Sequence, residues 1–403
     1  MRLRNETVTI GVIGLGRGLV LTLPALRLHP HIRIAGGYDL RSEAVEKLAE
    51  EFGGVAYRSQ EEILCDPSID AVYIATPHEI HAHITCEALQ AGKHVLVEKP
   101  MSTTLEDGLE MVRVSQETGK VLLVGPSHGF DRPIQEAGKL IRSGRYGRVR
   151  MVTALNYTDF MYRPRRPEEL DEARGGGVVY NQATHQIDLV RNLVNQPVES
   201  IRAVTGNWDK TRGSSGAYTA LMTFSEGAAA SLIYSGYAHY DSDELVGWIG
   251  ELGRPKDPES YGQARRFLQS LKDEGELDAK LSRTYGGESM AEQDTPPYHE
   301  HFGFVLASCD EADMKILPTE IQIFGNTQRE VIPIPPPEIP RAAVIDEFVA
   351  AITGVAKPIH DGRWALETMA CCTALIESSK TGRDVQPAAL SKAHERKIKD
   401  DQA

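Results

Sequence analysis

The sequence predicts an α/β protein with two parts, an N-terminal domain on a doubly wound parallel sheet and a C-terminal α+β domain with a mostly antiparallel open sheet. In the first part, short apolar runs alternate with helical periodicities, which is typical of βα units in a parallel sheet. Farther along, the apolar period changes to two, which is typical of a sheet with two distinguishable faces. We expect the boundary near Ser127, giving domains of residues 1–127 and 128–403.

Length, charge and cysteine content limit the possible classes of protein. At 403 residues the chain exceeds the usual size of one domain. Its formal net charge of −13, without a basic stripe, argues against nucleic-acid binding. Five cysteines without CxxC spacing indicate a reducing cytoplasm. Because no apolar run approaches the roughly 20 residues that cross a bilayer, we expect no membrane segment.

A glycine-rich loop follows the first predicted strand. The apolar run Val8 to Ile13 is followed by Gly14-Leu15-Gly16-Arg17-Gly18 and a helical segment from Leu19 to Leu28. Glycines let backbone amides approach a pyrophosphate, and the helix N-terminus adds about half a positive charge. The match to G-x-G-x-x-G is imperfect, because Leu19 stands at the third position and Gly18 comes one residue early. We predict a dinucleotide-binding Rossmann domain with Gly14, Gly16, Arg17 and Gly18 at the phosphates.

An acidic residue follows the second predicted strand, His31 to Tyr38. Asp39 lies 25 residues after Gly14, near the distance expected for a residue that contacts the adenosine ribose. Its carboxylate accepts hydrogen bonds from ribose hydroxyls and repels a 2′-phosphate, so we predict NAD as cofactor, with NADP disfavoured. Arg41 could neutralise part of that repulsion or stack on the adenine. The alternative, that Asp39 is a turn residue, stays open.

Polar residues also follow two later predicted strands. Thr76-Pro77-His78 comes after the run Ala71 to Ala75, and Glu98-Lys99-Pro100 comes after Val95 to Val97. Ligands of open parallel sheets bind outside the carboxyl ends of strands, so Thr76, Pro77, His78, Glu98 and Lys99 are candidate cofactor contacts. Pro100 disfavours the α region at Lys99, which gives that side chain a defined direction. Alternatively, Lys99 is an ordinary strand-end lysine that reaches solvent.

The second domain is predicted from shorter signals. Strands are expected at 149–157, 200–208, 218–224 and 228–237, the last two joined by a turn at Gly227, and helices at 134–143, 342–352 and 364–379. Residues 251–300 are interpreted as a polar insertion and a candidate lid, with one helical patch near Phe267. The charged tail from Ser391 is expected to fray. We expect Trp208, Trp248 and the vicinal Cys371-Cys372 pair to lie in the core.

A helix is predicted from Val178 to Val194, directly after Gly175-Gly176-Gly177. At 100° per residue, Asn181, His185 and Asp188 share the face opposite its apolar stripe. A solvated polar face is the ordinary explanation of such a pattern. The three glycines favour a functional face, since they allow another backbone or a cofactor ring to approach the start of the helix.

These motifs together resemble the glucose-fructose oxidoreductase, inositol dehydrogenase and MocA (Gfo/Idh/MocA) family over nearly the whole length. The resemblance implies that Lys99 and His185 flank the nicotinamide of NAD as catalytic residues. An acidic residue usually precedes the histidine by one turn, but this chain has Asn181 there. Because an amide cannot carry a proton, the resemblance leaves acid–base work to Lys99 or His185 and makes Asn181 a candidate substrate contact.

Within that family, residues 156–160, 162–171 and 175–179 resemble the phthalate 4,5-dihydrodiol (4,5-dihydroxyphthalate) dehydrogenases. This implies hydride transfer from a ring secondary alcohol of a carboxylated cis-dihydrodiol to NAD. Arg163, Arg165 and Arg166 are then candidate ligands of the substrate carboxylates. Alternatively, these arginines pair at the surface with the acidic residues that follow them, Glu168, Glu169, Asp171 and Glu172.

Two other functions stay open at this stage, a sugar, polyol or glycoside dehydrogenase of the same family and a non-catalytic NAD-sensing regulator. The presence of both Lys99 and His185 argues against the regulator. The expected partners are a small-molecule substrate and further copies of the chain, since an uncovered sheet face favours a homodimer or homotetramer. No metal is expected, because His78, His81 and His83 lack a fourth ligand. His299 and His301 are interpreted as ordinary loop residues, and a contact with the substrate is the alternative that stays open.

Overall fold

The computed structural model describes residues 7–271, 275–290 and 294–401. The described residues form two compact units. Those within 1–126, 278–295 and 339–366 form the first unit, and those within 127–277, 296–338 and 367–403 form the second. The predicted division into domains 1–127 and 128–403 stays a prediction. The two units differ from this division because residues 278–295 and 339–366, as far as they are described, pack with the N-terminal part of the chain.

The strands and helices have the following bounds. The strands are β1 (Val8–Ile13), β2 (Ile32–Tyr38), β3 (Val55–Ala56), β4 (Ala71–Ile74), β5 (His94–Val97), β6 (Leu122–Val124), β7 (Val149–Tyr157), β8 (Val198–Gly206), β9 (Ala217–Phe224), β10 (Ala229–Ser235), β11 (Phe304–Cys309), β12 (Ala312–Ile316), β13 (Glu320–Gly325) and β14 (Arg329–Pro333). The helices are α1 (Arg17–Leu28), α2 (Ser42–Phe52), α3 (Gln60–Cys65), α4 (His81–Gln90), α5 (Leu105–Thr118), α6 (Arg132–Arg142), α7 (Thr184–Val194), α8 (Gln263–Ser270), α9 (Gly275–Leu281), α10 (Ala342–Ile352), α11 (Gly362–Thr381) and α12 (Pro387–Asp401).

The first unit contains a six-stranded sheet in the order β3-β2-β1-β4-β5-β6, with all strands parallel. Strand β1 is buried along its whole length, as expected for a central strand covered on both faces. The order reverses on either side of β1, and the loops after β1, β2, β4 and β5 leave the same edge of the sheet. The glycine-rich loop, Asp39, Thr76 and Lys99 are therefore carried on one edge.

The second unit contains an eight-stranded sheet in the order β14-β13-β12-β11-β7-β10-β9-β8. All neighbouring strands are antiparallel except β7 and β10. The hairpin β9–β10 turns at Gly227, whose φ is +86°, as the predicted glycine turn requires. The predicted fold class, a Rossmann-type parallel sheet followed by a mostly antiparallel sheet, is confirmed.

One face of the second sheet packs on helices and the other keeps large apolar side chains exposed. Val152 and Ala154 of β7 point to one face of the sheet and are buried in the core. Met151 of the same strand points to the other face and is 49% exposed. The cross-strand register puts exposed Val204, Leu221, Phe324 and Val331 on the same face as Met151. Several exposed apolar side chains on one face of a sheet are typical of an interface with another protein.

The second part departs from the sequence predictions in several places. Strands β11 to β14 were not expected. Helix α12 extends over Pro387–Asp401, and the fraying expected from Ser391 stays a prediction. Trp208 is 71% exposed and stacks on Tyr237, with ring centroids 5.0 Å apart, so it is not a core residue. Cys371 and Cys372 are buried as predicted. Among the described residues, no helix combines the length and the apolar character needed to cross a bilayer.

Candidate functional site

The glycine loop packs directly against the end of β4 in the first unit. A Cβ at Gly14, where φ is +86°, would lie 2.7 Å from Thr76 Cγ2, and one at Gly16 would lie 2.8 Å from the carbonyl oxygen of Ala75. Only glycine fits at either position. Gly16 is also the N-cap of α1 and has no side chain to bond the first amides of that helix. The loop therefore fits a pyrophosphate, which those amides would bind.

Gly18 lies against the side chain of Glu98, and its predicted contact with the phosphates stays a prediction. A Cβ at Gly18 would lie 2.6 Å from Glu98 Oε1, so the side chain of Glu98 occupies the space beside the first turn of α1. The Tyr73 hydroxyl donates to the same oxygen over 2.5 Å. Burial raises the pKa of Glu98 above its usual range, against the opposing effects of Tyr73, Arg341 and Lys99. This contact accounts for the early third glycine, and the role of Glu98 in cofactor binding stays a prediction.

Asp39 and Arg41 form one hydrogen-bonded cluster with the glycine loop. Asp39 Oδ2 accepts from the Leu15 amide over 2.7 Å, and Asp39 Oδ1 accepts from Arg41 Nε over 3.0 Å. Burial by itself raises the pKa of Asp39, but the bonds from Arg41 and Leu15 outweigh it and hold that pKa below its usual value. The carboxylate is therefore ionised beside the loop. Its Oδ1 also accepts from the Arg41 amide over 2.9 Å, as the turn interpretation expects, while the bond from the Leu15 amide goes beyond that turn.

Lys99 lies partly exposed at the end of β5, followed by a cis bond to Pro100. The nearby His81 is fully buried, and its two ring nitrogens lie 2.9 Å from the carbonyl oxygens of Pro100 and Thr76. His81 thus links the segments that follow β4 and β5. Of the other two histidines considered for a metal, His83 is exposed and contacts Glu87, while the His78 ring packs edge-on against His81. Pro77 is exposed.

The second half of the predicted site lies on α7 in the second unit. Residues 179–183 form a π-helical turn, and α7 continues from Thr184. Asn181, His185 and Asp188 are all buried, so the solvated-face alternative is wrong. Asn181 Nδ2 donates to the Gly177 carbonyl over 2.8 Å, and Asp188 accepts from the Gly129 amide over 3.2 Å. The backbone of Asp171 approaches Gly176, where a Cβ would lie 2.7 Å away.

His185 packs against a second histidine that sequence reasoning missed. The His185 and His128 rings are 4.7 Å apart in an edge-to-face arrangement, and the Phe302 ring lies 5.1 Å from His185. His128 Nδ1 is 2.7 Å from Asp131, and His128 Nε2 is 3.7 Å from Glu251. Burial alone lowers the pKa of His128, but Asp131 and Glu251 outweigh it and raise that pKa to about 10. His128 is therefore a cation at neutral pH.

The cationic His128 is connected to Arg163 through Glu251. Both terminal nitrogens of Arg163 donate to Glu251 Oε2 over 3.3 Å, and Arg163 Nε donates to Asp159 over 2.7 Å. Burial alone raises the pKa of Glu251, but Arg163, His128 and His185 hold it well below its usual range. The result is a chain of alternating charges from Asp131 to Asp159, in which His128 lies against His185.

Arg165 and Arg166 also have carboxylate partners. Arg165 lies over the Phe160 ring at 3.5 Å and has Glu169 at 3.6 Å. Arg166 contacts Glu168 at 3.2 Å and Glu169 at 3.4 Å. The predicted pairing of these arginines with the following acidic residues is therefore present for two of the three. It is not a loose surface pairing, since the side chain of Arg165 is only 9% exposed.

Three residues near these groups were not found from sequence. His128 follows β6 after Gly125-Pro126-Ser127, so the strand-end argument used for Lys99 could have found it. Glu251 and Arg212 gave no local signal; Arg212 makes a two-point contact with Glu276 at 2.7 and 3.0 Å. Ligand atoms of His128, Asp131 and Glu300 meet within 4.8 Å. Because His128 and Asp131 are already an ion pair, we assign no metal there.

Comparison with known proteins gives a consistent result across the chain. A model described as the oxidoreductase family with an NAD-binding Rossmann fold matches residues 8–126, and the GFO/IDH/MocA C-terminal domain matches residues 134–254. The chain is 42% identical over 375 residues to 1-carboxy-3-chloro-3,4-dihydroxycyclohexa-1,5-diene dehydrogenase of Comamonas testosteroni, covering 92% of this chain and 94% of that protein. It is 26% identical over 251 residues to myo-inositol 2-dehydrogenase of Thermotoga maritima, covering 61% and 73%.

Solved structures support the same fold. The structure described as a putative dehydrogenase of Bordetella bronchiseptica RB50 is similar with a TM-score of 0.89 and 36% identity, covering 94% of this chain and 100% of that one. An Agrobacterium radiobacter oxidoreductase in complex with NAD⁺, L-tartaric acid and magnesium gives a TM-score of 0.73 at 17% identity, covering 96% and 100%. At that identity, the second likeness concerns the fold alone.

Proposed function

The chain belongs to the Gfo/Idh/MocA family of oxidoreductases with an NAD-binding Rossmann fold, and on that premise we propose that it is an NAD-dependent cis-dihydrodiol dehydrogenase acting on a phthalate-type carboxylated ring. Membership of the family confirms the predicted class of enzyme and the predicted cofactor-binding fold. The narrower substrate assignment is carried by one observation. The relative from Comamonas testosteroni, which matches this chain over 92% of its length, is named for a carboxylated dihydroxycyclohexadiene.

The glycine loop, the first turn of α1 and Asp39 are the groups proposed to hold the cofactor. NAD, when bound, supplies a ring that accepts hydride from a secondary alcohol carbon. Gly14 and Gly16 give the close approach that the pyrophosphate needs, and the carboxylate of Asp39 is ionised and therefore suited to accept from ribose hydroxyls. Arg17, Thr76, Pro77 and His78 stay proposed contacts on the same edge of the sheet.

Lys99 and His185 stay the two proposed proton-transfer residues. A positioned base that removes the hydroxyl proton contributes about 10² to 10⁴-fold to the rate. Lys99 is partly exposed at the end of its strand, where a ligand can reach its amine. His185 is buried, and its ring lies 4.7 Å from that of the cationic His128. Asn181 stays a proposed substrate contact. Its side-chain amide donates to the Gly177 carbonyl and cannot transfer a proton, so it is not proposed as an acid or a base.

The substrate carboxylates are proposed to bind arginines of the segment after β7. Each charge-assisted bond between a guanidinium and a carboxylate contributes about 1.5 to 3 kcal/mol. An anionic substrate must compete with the existing partners, which for Arg163 are two carboxylates, Asp159 and Glu251. Arg165 and Arg166 share Glu169, and Arg166 also contacts Glu168 at 3.2 Å, so these two guanidinium groups likewise have two carboxylate partners. All three arginines therefore stay proposed ligands of the substrate carboxylates.

The test compares a carboxylated cis-dihydrodiol with a neutral polyol as substrates of the purified enzyme with NAD⁺. Arg163, Arg165 and Arg166 are each changed to methionine, and Arg145→Met serves as the control because that exposed arginine pairs with Glu330 at the surface. We expect at least one of the three variants to raise KM severalfold or more for the carboxylated substrate alone. Equal effects on both substrates, or none, would favour a polyol dehydrogenase.

The exposed face of the second sheet supports a homo-oligomer. Met151, Leu221 and Val331, each 49% exposed, belong to three different strands and lie on one face by register. We propose that a second copy covers this face, giving a homodimer or homotetramer, and that residues 128–403 serve substrate binding and oligomerisation. The cytoplasmic location predicted from the cysteines is part of the same proposal.

A further inference from the structure

Arg41 is held by a ring of acceptors that uses all five of its guanidinium N–H groups. Nε donates to Asp39 Oδ1 over 3.0 Å. Nη1 donates to Thr284 Oγ1 over 2.6 Å and to the Tyr285 carbonyl over 3.1 Å. Nη2 donates to the Leu15 carbonyl over 2.8 Å and to Asp39 Oδ2 over 3.3 Å. A guanidinium has five donors, so none is left over in this arrangement.

Two of these acceptors come from a segment far away in sequence. Residues 281–287 were interpreted as part of a polar insertion, yet within the first unit they pack against the glycine loop. The Tyr285 amide donates to the Leu15 carbonyl over 3.1 Å, and the Tyr285 side chain is fully buried with its hydroxyl on Glu51. The segment is thus anchored on both sides of Arg41.

The local conformation of the segment makes Thr284 an acceptor. The Thr284 hydroxyl donates its hydrogen to the Leu281 carbonyl over 2.6 Å, which leaves the oxygen lone pairs for Arg41. The turn after it is tight, since a Cβ at Gly287 would lie 2.2 Å from the Ser282 carbonyl oxygen. Gly286 has a φ of +80°, which favours glycine, and a Cβ there would lie 3.7 Å from Ala44 Cβ of α2. These contacts give Thr284 and the Tyr285 carbonyl fixed positions.

We propose that residues 281–287 are a cofactor-specificity element, which holds Arg41 through Thr284 and Tyr285 and so withholds it from the 2′-phosphate of NADP. The proposal rests on the assignment of NAD as the cofactor. Asp39 is the residue proposed to contact the ribose, where its carboxylate would repel a phosphate, and Arg41 is a cation paired with that carboxylate. A phosphate is bound best by two parallel N–H bonds from one guanidinium. Arg41 offers neither of its two N–H pairs, because Asp39 accepts from Nε and Nη2 while Thr284 and Tyr285 accept from Nη1.

The test is calorimetric binding of NAD⁺ and NADP⁺ to the full-length protein, which requires no substrate. Four forms are compared, namely wild type, Thr284→Val, Asp39→Ser and the double variant Asp39→Ser/Thr284→Val. Asp39→Ser alone removes the repulsion and frees the Nε/Nη2 pair of Arg41, but the guanidinium stays fixed in position through its bonds to Thr284, Tyr285 and Leu15, so we expect NADP⁺ affinity to rise only a few-fold. In the double variant we expect a further rise of about tenfold or more, beyond the product of the two single effects. Arg41→Ala added to the double variant should abolish that gain.

Thr284→Ser is the matched control, because it keeps the hydroxyl and should leave NADP⁺ binding as in wild type. If Thr284→Val fails to fold, as judged by its melting curve, Thr284→Ala replaces it in the same cycle. Independent effects of Asp39→Ser and Thr284→Val, with wild type still preferring NAD⁺, would overturn the specificity element and leave the cofactor assignment intact. A wild-type preference for NADP⁺ would overturn both.

Discussion

Replacing His128 with glutamine removes the cation that lies between Asp131 and Glu251 in the second unit. The side chain of His128 is only 5% exposed, so screening by water is small. Its pKa is raised to about 10 in the folded protein, compared with a value of 6.5 for an unperturbed histidine. At about 1.36 kcal/mol per pH unit, this difference corresponds to roughly 5 kcal/mol of folding stability at acid pH.

The sign of this effect fixes its pH window. A group whose pKa is raised on folding binds its proton more tightly in the folded state, so its contribution is complete below about pH 6.5 and is lost as the pH rises toward about 10. Between these values the slope attributable to His128 approaches about 1.4 kcal/mol per pH unit. The free energy of unfolding of the wild type should therefore fall on raising the pH from 7 to 9.5.

The assay is denaturant unfolding, followed by circular dichroism at a series of pH values, for wild type and His128→Gln. The variant should be less stable at pH 7 by about 3 to 5 kcal/mol and should lack the alkaline decline. His83→Gln is the matched control, because that histidine is exposed and contacts only one glutamate, Glu87, among its described partners. If the profile of His128→Gln runs parallel to that of wild type, His128 is not a buried cation and the charge chain beside His185 is wrong.

Three further predictions concern the proposed site and assembly. Lys99→Ala should lower kcat by about 10² to 10⁴-fold while the Kd for NAD⁺ changes little, and an unchanged kcat in single-turnover assays would remove Lys99 from the chemistry. Asp39→Ala should weaken NAD⁺ binding and reduce discrimination against NADP⁺ in fluorescence titrations, since the ribose loses its acceptor; a wild-type preference for NADP⁺ by about tenfold or more would contradict this role. Static light scattering at micromolar concentration should give a dimer or tetramer because the exposed sheet face carries Met151 and Val204, and a monomer would refute that assembly.

Local sequence patterns were sufficient to predict most of the first unit, but they predicted only half of the strands of the second sheet. Strand β1 is a continuous buried apolar run, which is visible without knowledge of its neighbours. Strand β12 buries Ala312, Met314 and Ile316 and exposes Asp313, a pattern of only five residues that includes two charges. Such a strand forms because β11 and β13 pair with it on both sides. Tertiary pairing of this kind cannot be read from a short segment.

The same distinction applies to the candidate site. Asp39, Thr76 and Lys99 could be predicted because each follows a recognisable strand at one edge of a parallel sheet. Thr284 could not, because its bond to Arg41 joins residues 243 positions apart in a segment without periodicity. Glu251 was missed for a similar reason, since its partners His128 and Arg163 lie far from it in sequence. Long-range charge pairing leaves no local signal.

The measurement that tests the central claim most directly is the initial rate of NADH formation, followed by ultraviolet absorbance, with purified enzyme, NAD⁺ and a phthalate-type cis-dihydrodiol. Myo-inositol and a neutral cis-dihydrodiol are measured beside it under identical conditions. We predict one NADH for each dihydrodiol converted to its catechol, with kcat/KM about tenfold or more above that for either uncharged substrate. Turnover of the polyol alone would contradict the substrate assignment, and NAD⁺ binding without turnover of any of the three would contradict the claim that this protein is a dihydrodiol dehydrogenase.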